Sequence, residues 1–259
     1  MPTVRANGVE LFYRVDGAVE GPTLVLAHSL GTTLDLWAPQ MSSFGKRYRV
    51  VRYDGRGHGR SGVVPGPCTM EDLGRDALSL LDALGLDRVH FCGLSQGGMV
   101  GMWLGSHAPD RIGKLVLCNT AAHMETPAGW NARMEIVRRS GMEAISEGVL
   151  ERWFTAGFRA RRPEVVESAR RMLLASPPVG YLASCAAIRD VDERAGLPSI
   201  KAETLVIAGR SDAATPPAQG RAIAAAIPGA RLVELDAAHL SNLEVPDEFG
   251  AAVLGFLDA

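Results

Sequence analysis

The chain has little cysteine, few aromatic residues and no excess of positive charge. Its four cysteines, Cys68, Cys92, Cys118 and Cys185, stand far apart, with no CxxC pair and no histidine at metal-ligand spacing. That pattern excludes a disulfide framework or a zinc-type cluster and reads as reduced, structural thiols with no metal site. Lys and Arg number 27 against 29 Asp and Glu, a formal net charge of -2. No Lys/Arg stripe with interleaved aromatic rings occurs, so nucleic acid is not an expected partner. No apolar run approaches the roughly 20 residues of a membrane-crossing helix. The opening "MPTVRANGVELFYRVDG" puts Arg5 and polar residues where a secretory signal is apolar. The expectation is a cytoplasmic protein with no membrane partner.

What is present is ample material for a core: 259 residues, 47% of them hydrophobic and 22% charged. Short apolar runs, "VELFYRV", "TLVLAHS", "YRVVRYD", "RVHFCGLS", "KLVLCNT", "TLVIAGR" and "ARLVELD", are bounded by Gly, Pro, Asp or Ser and read as strands. Helical patterns such as Met70 to Leu84 and Gln96 to His107 lie between them, which gives βαβ units and an α/β fold with a mostly parallel, doubly wound sheet. The first strand, Val9 to Val15, is expected to pair antiparallel at an edge. From Ala121 to about Gly196 no strand-like run appears. Met134, Val137, Ile145, Val149, Trp153 and Phe154, then Val165, Val166, Ala169, Met172 and Leu173, recur at helical spacing, broken at "RRPE", "SPPVG" and "GLP". The expected organisation is a core domain of residues 1–120 and 197–259 with a helical cap, 121–196, inserted over the carboxyl ends of the strands.

The stretch "VHFCGLSQGGMVGMW" holds the main chemical signal. A strand that turns at once into a helix while displaying one side chain forces strained geometry on that residue and near contact on its neighbours. Gly93 and Gly97 meet the size limit and Ser95 is displayed, which is the G-x-S-x-G nucleophile elbow. A serine hydroxyl needs a base, and the base an acid, which follow the elbow in the order acid, then histidine. Asp212 comes one loop after "TLVIAGR" and His239 one loop after "ARLVELD". Asp236 is a rival for the acid. Among other histidines, His90 sits inside a strand, His107 ends a helix and His58 lies in "DGRGHGRSG". "LVLAHSLGTT" offers a backbone N–H from Leu30 to pair with that of Gln96 as an oxyanion hole, and His28 reads as a structural histidine holding this loop.

The elbow "GLSQGG", the loop "YDGRGHGRSG", the acid in "IAGRSDAATPP" and the terminal "AAHLSNLEVPDEF" resemble the α/β-hydrolase superfamily. With the cap strings "GWNARMEIVRRSGM", "LERWFTAGF" and "GYLASCAAIRDVD", and with "HSLG" where a His-Gly pair is widespread, the chain is similar to 3-oxoadipate enol-lactonases of aromatic catabolism. The resemblance implies an α/β-hydrolase fold that hydrolyses a small anionic lactone through an acyl-enzyme on Ser95, with no cofactor. The substrate's carboxylate calls for a partner in the cap. Trp130 and Arg133, one helical turn apart, could wall the pocket and bind it, or could be ordinary packing and a solvated face. Arg138, Arg139, Arg161 and Arg162 read as surface charges. Carboxylesterases, perhydrolases and C–C bond hydrolases use the same constellation, and capped relatives of the fold also act as small-ligand receptors.

Overall fold

A computed structural model describes residues 2–124 and 126–259; Met1 and Glu125, inside the expected core and cap intervals, lie outside the described residues. Among the described residues eight strands form one sheet: β1 (Thr3–Ala6), β2 (Val9–Gly17), β3 (Thr23–Ala27), β4 (Arg49–Tyr53), β5 (Val89–Leu94), β6 (Ile112–Cys118), β7 (Glu203–Gly209) and β8 (Arg231–Leu235), in the order β1-β2-β4-β3-β5-β6-β7-β8. The pairs β1·β2 and β2·β4 are antiparallel and all others are parallel. The expected antiparallel strand is therefore present but is not the edge. It pairs on its other side with β1, whose four residues, TVRA, are too few and too exposed to carry a periodic signal.

Leu115, Val116, Leu117 and Cys118 of β6 are all fully buried. Because successive strand residues point to opposite faces, such a run requires cover on both. Helices α2 (Met70–Ala83) and α3 (Gln96–His107) pack together over one part of the sheet; α1 (Met41–Phe44), α10 (Ser241–Glu244) and α11 (Pro246–Leu257) form another group, and α9 (Pro217–Ala226) lies on β7 and β8. All four cysteines are buried and free. No described helix is long and apolar enough to cross a membrane.

Between β6 and β7 the described residues form five α-helices: α4 (Pro127–Ser140), α5 (Glu143–Trp153), α6 (Ala156–Arg161), α7 (Pro163–Ala175) and α8 (Pro178–Arg189). Met134, Val137, Ile145, Val149, Trp153, Phe154, Ala169 and Leu173 are buried among them, as their spacing demands. Two further breaks, at Gly141 with φ 73° and at Phe154, divide what reads in sequence as longer helices. The helical segment is closed at its base, where His123 bridges Asp192 and Glu193 N–H donates to Ala122 O at 2.8 Å.

The register fixes where chemistry can occur. Ala27 pairs with Gly93, Leu94 with Cys118, Cys118 with Ile207 and Gly209 with Leu235. The carboxyl ends of β3, β5, β6, β7 and β8 are thus level, and the loops that follow them gather at one edge of the sheet.

Candidate active site

Ser95 joins β5 to α3 with φ 57° and ψ -112°, a conformation costly for a residue bearing a Cβ. It is over-determined by its surroundings: Ser95 N–H donates to Cys118 O at 2.8 Å, and its carbonyl accepts from Thr120 Oγ1 at 2.7 Å and Met99 N–H at 3.0 Å. The two glycines are required by contact. A Cβ on Gly93 would stand 2.0 Å from Gly97 O, and one on Gly97 would stand 2.2 Å from Ala27 O. The sharp turn lifts the serine side chain to the cavity described below and leaves the first N–H groups of α3, beginning with Gln96, without partners inside the helix.

Asp212 and His239, on the loops after β7 and β8, meet below the surface. His239 Nδ1 lies 2.8 Å from Asp212 Oδ2, with side-chain exposures of 4% and 0%. Asp212 Oδ1 accepts from the N–H groups of Ala214 and Thr215 at 2.8 and 2.9 Å, and Oδ2 also accepts from Thr215 Oγ1 and Asn119 Nδ2 at 2.9 and 3.0 Å. Burial pushes the Asp212 carboxyl up, but the His239 charge, the His239 hydrogen bond and these donors outweigh it and hold it below its ordinary value. An ionised carboxylate accepts only, so the proton of this hydrogen bond sits on His239 Nδ1, and Nε2 is the ring nitrogen left to act as a base. Asp236 is elsewhere: its side chain is 86% exposed and pairs with Arg210.

Asn119 was not legible as a site residue. It follows β6 with φ 46°, and its Nδ2 donates to Asp212 Oδ2 and to Ala238 O at 3.0 and 3.1 Å. Ser241 Oγ donates to Asn119 Oδ1 at 2.6 Å, which fixes the amide's orientation. One side chain thereby ties the acid's loop to the histidine's.

The loop after β3 carries Ser29 and Leu30 to the same cavity as Ser95. His28 holds it, as expected, and His58 shares the task. His28 Nδ1 donates to Ser29 O at 2.8 Å while its Nε2 accepts from Gly55 N–H at 2.8 Å. His58 Nε2 accepts from Gly31 N–H at 3.0 Å and its Nδ1 donates to Arg56 O at 3.1 Å. Both rings need a bare Nε2 and are therefore neutral. Burial lowers the pKa of His28 to about 4 and of His58 to about 3, the neighbouring His28 adding to the latter. The only sequence signal for His58 is its place among glycines, which shows a turn and no partner.

A cavity of about 530 Å³ lies between these loops and helices α4, α5 and α8, and both Ser95 and His239 line it. Trp130 and Arg133 line it too, with the Arg133 guanidinium 4.6 Å from the Trp130 ring centroid. Arg138, Arg139, Arg161 and Arg162 are exposed, three of them paired with Glu135 or Glu164. Arg152 of α5 also lines the cavity; in sequence its neighbour Glu151 makes it look like a solvated pair.

The family model of the alpha/beta hydrolase fold matches residues 22–140. The 3-oxoadipate enol-lactonase 2 of Acinetobacter baylyi is 39% identical over 251 residues, 97% of this chain and 94% of that protein. The crystal structure of the enol-lactonase from Burkholderia xenovorans LB400 has a TM-score of 0.98 and 46% identity, covering 100% of both chains. RutD of Azorhizobium caulinodans, whose name ascribes carbamate hydrolysis to it, is 30% identical over 261 residues, 99% of this chain and 98% of that one.

Proposed function

The chain belongs to the α/β-hydrolase family and is a carboxylic ester hydrolase of the lactone type, and on that premise we propose that it opens 3-oxoadipate enol-lactone to 3-oxoadipate in aromatic catabolism. The observation that carries this reading is one cavity lined by Ser95, His239 and Arg133 together. It couples an acyl-transfer constellation to a cationic wall suited to an anionic ester. Helices α4–α8, residues 121–196, act in this reading as the cap on a core of residues 1–120 and 197–259.

Ser95 Oγ attacks the ring carbonyl carbon while His239 Nε2 takes its proton and Asp212 stabilises the imidazolium. The N–H groups of Leu30 and Gln96 hold the oxyanion. The ring C–O bond then breaks, its electron pair leaving on oxygen as an enolate, which takes up the proton held on His239 and becomes the ketone, so that His239 is again a neutral base. His239 deprotonates water for attack on the acyl-enzyme, and protonated His239 returns its proton to Ser95 as the ester breaks. Trp130 walls the cavity and Arg133 meets the substrate carboxylate.

The similarity to RutD supports a second reading, hydrolysis of a carbamate by the same serine. Turnover of synthetic enol-lactone, with 3-oxoadipate formation followed by NMR, is compared with a carbamate and simple aryl esters. A higher kcat/KM on the lactone is expected, abolished in Ser95→Ala. Binding of the lactone without turnover, or preference for either of the other classes, overturns the proposal.

A further inference from the structure

Arg152 stands one helical turn after Gly148 on α5, and both line the cavity. Helical side chains lean back over the preceding turn. Here the position one turn back is a glycine, and a Cβ on Gly148 would lie 3.8 Å from Arg152 Nη1, an ordinary contact, so the guanidinium lies along the α5 surface that lines the cavity. Arg133 reaches the same cavity from α4, and Tyr181 of α8 lines it as well. Burial holds the Tyr181 phenol above its ordinary value, Cys185 adds to this, and both guanidinium groups pull the other way.

Two cations here are poorly matched to their own protein. Among the described residues no carboxylate lies within ion-pair distance of Arg133 or Arg152, although the surface arginines around them are paired, Arg159 with Glu151 and Arg170 with Glu143. Burial lowers the Arg152 pKa, and the like charge of Arg133 lowers it further. A partly desolvated pair of like charges is unfavourable unless an anion completes it. None comes from the described residues, and both arginines line the cavity that holds Ser95.

We propose that Arg152 is a second carboxylate-binding residue, which with Arg133 clamps one substrate carboxylate from two helices beside the Tyr181 hydroxyl. The clamp deepens the lactonase reading and rests on it for the identity of the natural substrate. It makes the enzyme selective for esters and lactones that carry a free carboxylate, and it sets the distance from that carboxylate to the bond Ser95 attacks. Such a site also accommodates small dicarboxylates, since one end suffices to occupy it.

The test uses two readouts. In the first, succinate and its neutral counterpart succinamide compete against hydrolysis of 4-nitrophenyl butyrate. The wild type should bind succinate at least tenfold more tightly than succinamide, and Arg152→Ala should erase that preference. In the second, the ratio of kcat/KM on the enol-lactone to that on its methyl ester should fall about thirtyfold or more in Arg152→Ala, as expected for a lost charged hydrogen bond. Arg152→Lys should recover part of both, because it keeps the charge without the bidentate fork. If both arginines hold one carboxylate, Arg133→Ala/Arg152→Ala should lose only a few-fold beyond the worse single variant. Thermal melts check folding; should Arg152→Ala fail to fold, Arg152→Gln replaces it. An unchanged succinate preference or ratio overturns the proposal, and fully multiplicative losses overturn the shared clamp. If the wild type cleaves the butyrate ester but leaves the lactone intact, the lactonase reading fails while the succinate comparison still judges Arg152.

Discussion

His239 donates through Nδ1 to Asp212 Oδ2 at 2.8 Å, and both side chains are sealed from solvent. The alternative acid, Asp236, is turned outward to Arg210. Asp212→Asn should therefore lower kcat by about 10³–10⁴ through loss of the charge and the correct tautomer, as in other Ser-His-Asp sites. Asp236→Asn should leave kcat within twofold of the parent. Steady-state kinetics on the lactone decide between them, and a damaged Asp236→Asn beside an active Asp212→Asn reverses the assignment.

Ser95 should trade stability for function. Its φ of 57° is the elbow's strain, stored in a residue with a Cβ. Ser95→Gly and Ser95→Ala should both lose several orders of magnitude in turnover. Ser95→Gly alone should also relieve the strain, unfolding at a higher temperature than Ser95→Ala by the equivalent of about 1 kcal/mol. Calorimetry of the two proteins side by side measures the difference, and equal melting temperatures would show that the turn is not strained.

Acid should loosen the loop that carries Leu30. His28 and His58 each use a bare Nε2 to accept a backbone N–H, and their folded pKa values lie at about 4 and about 3 against an ordinary 6.5. A histidine with a lowered folded pKa binds its proton more readily unfolded, so its stabilising contribution is complete above about pH 6.5 and shrinks as pH falls toward the folded values. The loss from His28 alone is on the order of 3 kcal/mol. Asp212, whose carboxyl is held low, contributes in the same direction but only below its ordinary value near 4. His58→Gln, which offers an amide oxygen in place of Nε2, should flatten the melting curve between pH 6.5 and 4. A pH dependence equal to the parent's would remove His58 from this account.

The elbow was legible because its constraint is local: two glycines and a serine within five residues, at a strand-to-helix switch. The acid and histidine followed from order along the chain, and His28 from its place at the end of β3. Other residues carry no such signal. Asn119 and Asp212 are 93 positions apart, and nothing in "CNTAA" distinguishes an asparagine that bonds a carboxylate from one that ends a strand. Glu244 reads as a surface acid of the last helices. Folding brings its carboxylate to Ala238 N–H at 2.9 Å and to the Thr155 hydroxyl, so it ties the α5–α6 junction to the loop of His239. Arg152 is hidden by Glu151 in the sequence, and only the packing of α4, α5 and α8 separates it from the solvated arginines.

Asn119 offers a way to separate a hydrogen bond from a backbone requirement. Its positive φ alone would favour glycine, while its Nδ2 bonds to Asp212 and Ala238 require the amide. If the amide positions the acid, Asn119→Gly and Asn119→Ala should lose kcat alike, by about ten- to a hundredfold for a hydrogen bond to a charged group, with KM little changed. Their stabilities should differ, because alanine also meets the cost of φ 46°. Asn119→Asp should be the most damaging, since a second carboxylate beside Asp212 Oδ2 replaces a donor with a like charge and disfavours the ionised acid that His239 needs. Rate profiles of the three variants across pH read this directly. Near-parental kcat in Asn119→Gly would mean that the position serves only the turn after β6, and that Thr215 with the backbone donors suffices to hold Asp212.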